Sequence, residues 1–161
     1  MSVYNILPST IRKSPQLERP KRIAKALFFP PSKNINKIGF DVVAGCQLRC
    51  VGCPNSQIHP AVRFITEEDF VTCLGNLDTR HIRLMRLFNF GEPLLHPALP
   101  ELLGKIPQQK FTVQDVELSS NAQHSDWKKL AEVFKAGVIT NFFVSCDGDG
   151  TPEEYERLRP P

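Results

Sequence analysis

No run among the 161 residues approaches the roughly 20 consecutive apolar positions that a membrane-spanning helix requires. The first residues also lack the long apolar stretch of a secretory signal. The chain is therefore expected to act in the cytoplasm and away from membranes. In that compartment thiols stay reduced, and clustered cysteines hold metal more often than disulfides. The cysteine count, five, is odd and points the same way. Composition is that of an ordinary globular protein, 41% hydrophobic and 23% charged, and the length suits one domain with a real core.

Acidic residues are scarce at the start. Residues 1–37 hold eight Lys/Arg against the single acid Glu18, a balance of +7 within a net charge of +3, so the rest of the chain sums to −4. Five prolines fall in the same stretch. Residues 1–36 thus read as a basic, extended arm, and residues 37–161 as the folded core. Few aromatic residues are interleaved with the arm's charges, only Tyr4 and the pair Phe28 and Phe29, which argues against a base-stacking platform for nucleic acid.

The core is expected to alternate strands and helices. Strands are read at residues 37–43, 84–90, 113–120 and 141–148, each bounded by turn residues. Helices are read between them. Thr66 caps the first, whose apolar face is Phe70, Cys73, Leu74 and Leu77. Residues 99–106 make a short second helix, and Ser125 caps a third that closes on Gly137. Thr151, Pro152 and Glu154 open a fourth as cap, first helical residue and capping-box acid. Strand starts this far apart leave room for parallel crossovers, so the fold class is α/β with a parallel sheet, open or curled toward a barrel. In such folds chemistry gathers at the carboxyl ends of the strands. Cys73 and Cys146 are expected in the core, Trp127 in packing, and His96 in a turn.

Three cysteines crowd into eight residues, "CQLRCVGC" (Cys46, Cys50 and Cys53), with no fourth close behind and no second C-x2-C pair. Two chemistries fit. Zinc prefers four tetrahedral ligands, and His59 is placed to be the fourth. An iron–sulfur cluster normally takes four thiolates, and one held by three keeps an iron open to a further ligand.

The later strings extend the pattern. "FGEPLLHP" follows the second strand, "LSSNA" ends the third, and "VSCDGDGTPEEYERLR" follows the fourth. With C-x3-C-x2-C after the first strand, this order resembles the radical S-adenosylmethionine (radical SAM) family, with its G-G-E-P, T-N-G and S-x-D-G…Y-E-x-x-R strings. Phe90 stands where the first glycine of G-G-E-P often sits, and Ala122 replaces the glycine of T-N-G.

The resemblance implies a partial TIM-type barrel of the radical SAM kind, with about four parallel strands of an expected six. It implies a 4Fe–4S cluster on Cys46, Cys50 and Cys53 that binds S-adenosylmethionine, and an electron donor to reduce that cluster. Reductive cleavage of the cofactor would start radical chemistry on a substrate, a peptide or a small molecule. By position, Gly91, Glu92 and Pro93 would meet the methionyl amino group and Arg159 its carboxylate. Ser145 and Asp147 would turn toward the ribose, and Asn121 would be a further contact. Two alternatives stand beside this reading. One is a truncated, inactive or partner-dependent half-barrel. The other is a zinc-stabilised module in which His59 completes the site and the basic arm touches nucleic acid.

Overall fold

Alternating apolar and polar residues build four strands that hydrogen-bond side by side, all parallel, in the order β1-β4-β5-β6. They are β1 (Asn34–Gly39), β4 (His81–Arg86), β5 (Thr112–Ser120) and β6 (Asn141–Val144). The computed structural model describes residues 33–123 and 126–161, with the side chain of Trp127 excepted. The basic arm up to residue 32, the Ser125 cap and the packing of Trp127 lie outside the described residues. β1 begins at Asn34, so the strand takes in residues read as arm.

The first and second strands differ from expectation in a connected way. β1 stops at Gly39, although Phe40 N still donates to Arg86 O at 2.8 Å. The chain then bends at Val42, and Val43–Ala44 forms a separate short strand, β2, antiparallel to β3 (Arg63–Phe64). β4 starts at His81, in register with Asn34, and ends at Arg86 opposite Gly39. Leu87 N makes one more bond, to Glu117 O at 3.1 Å, and residues 88–90 leave the sheet. β6 is shorter than read because β5, its neighbour, ends at Ser120. Ser145 N makes one more bond, to Ser120 O at 2.8 Å.

Helix starts follow local chemistry. Thr66 caps α2 (Glu67–Gly75) by accepting from Asp69 N, with three acids in the first turn. Asp126 caps α4 (Trp127–Lys135) by accepting from Lys128 N and Lys129 N, and Gly137 follows at φ 66°. Thr151 caps α5 (Pro152–Leu158), accepting from Glu154 N at 3.3 Å. The Glu154 carboxylate turns to Arg157, on the next turn of the helix, instead of back to the cap. Two further α-helices among the described residues are α1 (Pro54–Ile58) and α3 (Leu99–Lys105).

Strand alternation divides the sheet into unlike faces. Met85, Val116 and Leu118 are fully or nearly buried in one cluster with Phe70, Leu74, Leu99, Leu102 and Val133 from the helices. Arg86, Glu117 and Ser119 alternate with these and line the other face, where Arg86 Nε meets Glu117 Oε2 at 2.6 Å. Two expected core residues are not buried. On α2 the buried stripe is Phe70 and Leu74, an i, i+4 pair, and Cys73 falls beside it in solvent. Cys146 is exposed because β6 ends at Val144 before reaching it.

Leu102 sits wholly buried on α3. Leu102→Ala is expected to cost about 2–5 kcal/mol, the lost transfer energy plus a cavity, read as a lower urea midpoint at unchanged slope.

Candidate active site

The carboxyl ends of β1, β4, β5 and β6 lead into the cysteine loop and residues 87–96, 121–123 and 145–151. Every site residue expected from the sequence lies in one of these segments or, for Arg159, just after α5.

The cysteine loop is wound by its own turns. Cys53 N donates to Cys50 O (3.1 Å), Ser56 N to Cys53 O (3.0 Å) and Ser56 Oγ to Cys50 O (2.7 Å). Gly45 and Gly52 take positive φ, which only glycine adopts freely. All three thiols are partly buried. Burial pushes the Cys46 thiol up. Its sulfur accepts an N–H from Leu48 at 3.4 Å, which pulls the other way, while Glu92 and Cys53 add repulsion; a bond from Asn121 Nδ2 at 3.5 Å again opposes it. Burial likewise raises Cys50, and the nearby Arg159 opposes that rise. Among the described residues, no three His, Cys, Asp or Glu side chains are arranged to hold a metal ion. His59 is exposed, at the carboxyl end of α1 with φ 48°.

After β4 the chain is held by partners the sequence reading missed. Asp41 Oδ1 accepts from the backbone N–H of Asn89 (2.7 Å), Phe90 (3.0 Å) and Gly91 (3.4 Å). Asn55 Nδ2 donates to Phe90 O at 2.5 Å. Gly91 is fixed by contact, because a β-carbon there would lie 1.7 Å from Val43 O. Glu92, only 3% exposed, accepts from Leu94 N (3.0 Å) and from Asn121 N (2.8 Å). Pro93 opens a buried 3-10 turn. His96 is no simple turn residue. It is buried, its Nε2 donates to Ile65 O at 2.9 Å, and its Nδ1 accepts from Ala98 N at 3.1 Å. Lys129 on α4 donates to the carbonyls of Leu94 and His96. The bonds to Asp41, Asn55, Ile65 and Lys129 span 31 to 50 residues, so no local pattern announces them.

Asn121 joins the two sides. Its Oδ1 accepts from Gln47 Nε2 and from Gln123 N, both at 3.0 Å, and its Nδ2 reaches Cys46 Sγ. Ala122, in place of the family's glycine, has φ 57°, the left-handed conformation that residues with a β-carbon disfavour. Ser145 Oγ lies 3.0 Å from Ser119 Oγ, on the polar face of the sheet. Asp147 and Arg159 bind each other, Nε to Oδ2 at 2.8 Å and Nη2 to Oδ2 at 2.7 Å. A cavity of about 400 Å³ lined by Phe111, Thr112, Gly137 and Val138 opens at the other end of β5, away from all of these residues.

Residues 41–161 match the sequence profile described as the Radical SAM superfamily. The chain belongs to the radical SAM superfamily. No curated protein matches it. Its fold is similar to that of BtrN in an open conformation (TM-score 0.54, 21% identity), with 75% of this chain and 54% of that one covered. It is also similar to BtrN in complex with AdoMet and 2-DOIA (TM-score 0.56, 19% identity), with 80% and 52% covered. The chain thus spans about half the length of these radical SAM structures, and its four parallel strands are part of the same TIM-type barrel. No helix among the described residues is long and apolar enough to cross a membrane.

Two substitutions in this superfamily core should move stability in opposite directions. Gly91→Ala forces its β-carbon into the Val43 carbonyl and is expected to cost about 3 kcal/mol or more. Ala122→Gly relieves the left-handed backbone and should gain up to about 1 kcal/mol, after glycine's own entropy cost. Equilibrium urea unfolding reads both.

Burial holds the His96 ring below its ordinary value of 6.5, against the bond to Ile65. The unfolded chain therefore takes up a proton first as pH falls, and stability present above about 6.5 is lost below it. Thermal midpoints should be level above pH of about 6.5 and decline toward about 5.5. His96→Gln should lower the midpoint overall, since Ala98 N loses its acceptor, and should flatten that decline.

Proposed function

We propose that this chain is the cofactor-binding core of a radical SAM enzyme, with a 4Fe–4S cluster on Cys46, Cys50 and Cys53 and S-adenosylmethionine beside it. The observation that carries the reading is the Glu92 carboxylate. It is buried, and among the described residues no ion pair involves it. Two backbone N–H groups occupy one lone pair on each oxygen, which leaves capacity for further donors. A buried negative charge without a cation favours a cationic ligand, and the methionyl ammonium and sulfonium of S-adenosylmethionine are cationic.

The donor set suits the cluster: three soft sulfur ligands on one loop, with N–H groups of Leu48 and Asn121 directed at Cys46 Sγ. When bound, the cluster supplies the electron that cleaves the sulfonium and releases a 5′-deoxyadenosyl radical. The chain's own residues do the positioning. Gly91 lets the loop lie against Val43, Pro93 fixes the turn behind Glu92, and Asn121 ties that loop to the cysteine loop. Ser145, on the polar face, is the proposed ribose contact together with Asp147, and Arg159 the carboxylate contact. The neighbour with AdoMet in its complex supports the choice of cofactor. The proposal extends to a reducing electron donor, a cytoplasmic setting, and a peptide or small-molecule substrate.

Electron paramagnetic resonance on anaerobically reconstituted, reduced protein tests this directly. The expected result is a 4Fe–4S signal that changes when S-adenosylmethionine is added. A cluster signal indifferent to the cofactor would make this a half-barrel that needs a partner or further strands. Zinc uptake with no cluster would sink the proposal. Cys46→Ala should lose most of the iron, measured by colorimetric assay.

A further inference from the structure

Residues 158–160 run antiparallel to residues 49–51 of the cysteine loop. Arg49 N donates to Pro160 O at 2.6 Å, and Val51 N donates to Leu158 O at 2.8 Å. The paired residue numbers share one sum, which is the register of an antiparallel ladder. Pro160 has no N–H to give, so it takes part only as an acceptor. Arg159 stands between the two carbonyls, and its side chain returns to Asp147 through the two bonds already given. Its side chain is 11% exposed, whereas that of Asp147 is 56% exposed. The next backbone bond in the chain, Arg159 N to Tyr155 O at 2.8 Å, anchors the segment to α5.

We infer that the Asp147–Arg159 pair is a buckle that positions the cysteine loop. It fixes residues 158–160 as an acceptor strip, and that strip holds the outer edge of the loop between Cys46 and Cys53. The inner edge is held separately, by Gln47 and Cys46 on Asn121. Three cysteines within eight residues can close on one cluster only if the segment between them is ordered, and Val51 and Gly52 are otherwise exposed. Asp147 and Arg159 are thus positioning residues for the metal loop. The loop's link to metal rests on the radical SAM reading, whereas the buckle itself is a property of the metal-free chain.

Hydrogen–deuterium exchange on the full, metal-free chain reads the buckle whether or not a cluster forms. In Asp147→Asn and in Arg159→Gln, amide exchange at Arg49 and Val51 should rise roughly ten-fold or more, with β4 and β5 unchanged. The charge swap Asp147→Arg with Arg159→Asp should restore protection. Unchanged exchange at those two amides in the single variants would overturn the inference. So would a rise spread over β4 and β5, or failure of the swap to restore what both single variants lose. The second reading is iron loss to a chelator from the reconstituted protein, expected to be about ten-fold faster in Asp147→Asn and slowed again in the swap. An opened loop with an unchanged rate of iron loss would overturn its role toward the metal. Absence of any cluster in the wild type would instead count against the radical SAM reading.

Discussion

The Glu92 carboxylate is the interaction on which the rest of the site depends. Its two oxygens accept from Leu94 N and Asn121 N, so one side chain joins the loop after β4 to the loop after β5. Asn121, fixed through its backbone, directs its amide at Cys46 and Gln47. Three strand ends are therefore tied through one buried charge. A carboxylate shielded from water is costly unless its lone pairs are filled. Here backbone donors fill part of them, and the same charge acts on the Cys46 thiol.

The unlike faces of the sheet explain why the site forms where it does. Met85, Val116 and Leu118 commit one face to the helices. The alternate residues Arg86, Glu117 and Ser119 cannot join that core, and they leave a polar surface that continues into Ser145. Period-two alternation does this without any special motif. Parallel strands also bring every carboxyl end to the same edge, so segments separated by dozens of residues meet there.

Much of this was legible in the sequence, and the parts that were not share a physical cause. Helix caps at Thr66 and Thr151, the glycine stop at Gly137 and the third strand are local signals, read within a few residues. The placement of Cys46, Glu92, Asn121 and Ser145 at strand ends followed from order along the chain. Strand limits were misjudged where register decides them: β4 runs only as far as β1 can pair with it, and β6 only as far as β5. Cys73 was misplaced because the buried stripe of α2 is narrower than its apolar pattern. Asp41, Asn55 and Lys129 were missed because each acts on backbone groups 33 to 50 residues away, through loops whose paths no periodicity encodes.

The charges of the metal-free site do not balance. Glu92 and Cys53 disfavour negative charge on Cys46, and Arg159, the cation that acts on Cys50, is already engaged by Asp147. Burial raises the Cys46 and Cys50 thiols, which favours their neutral form. Loading the proposed cluster would release protons, with affinity rising with pH. The N–H groups directed at Cys46 Sγ oppose part of that thiol's rise without reversing it. The same buried negative charge that makes the metal-free site costly is what a cluster and a cationic cofactor would offset together, and Glu92 is shared by both halves of that balance.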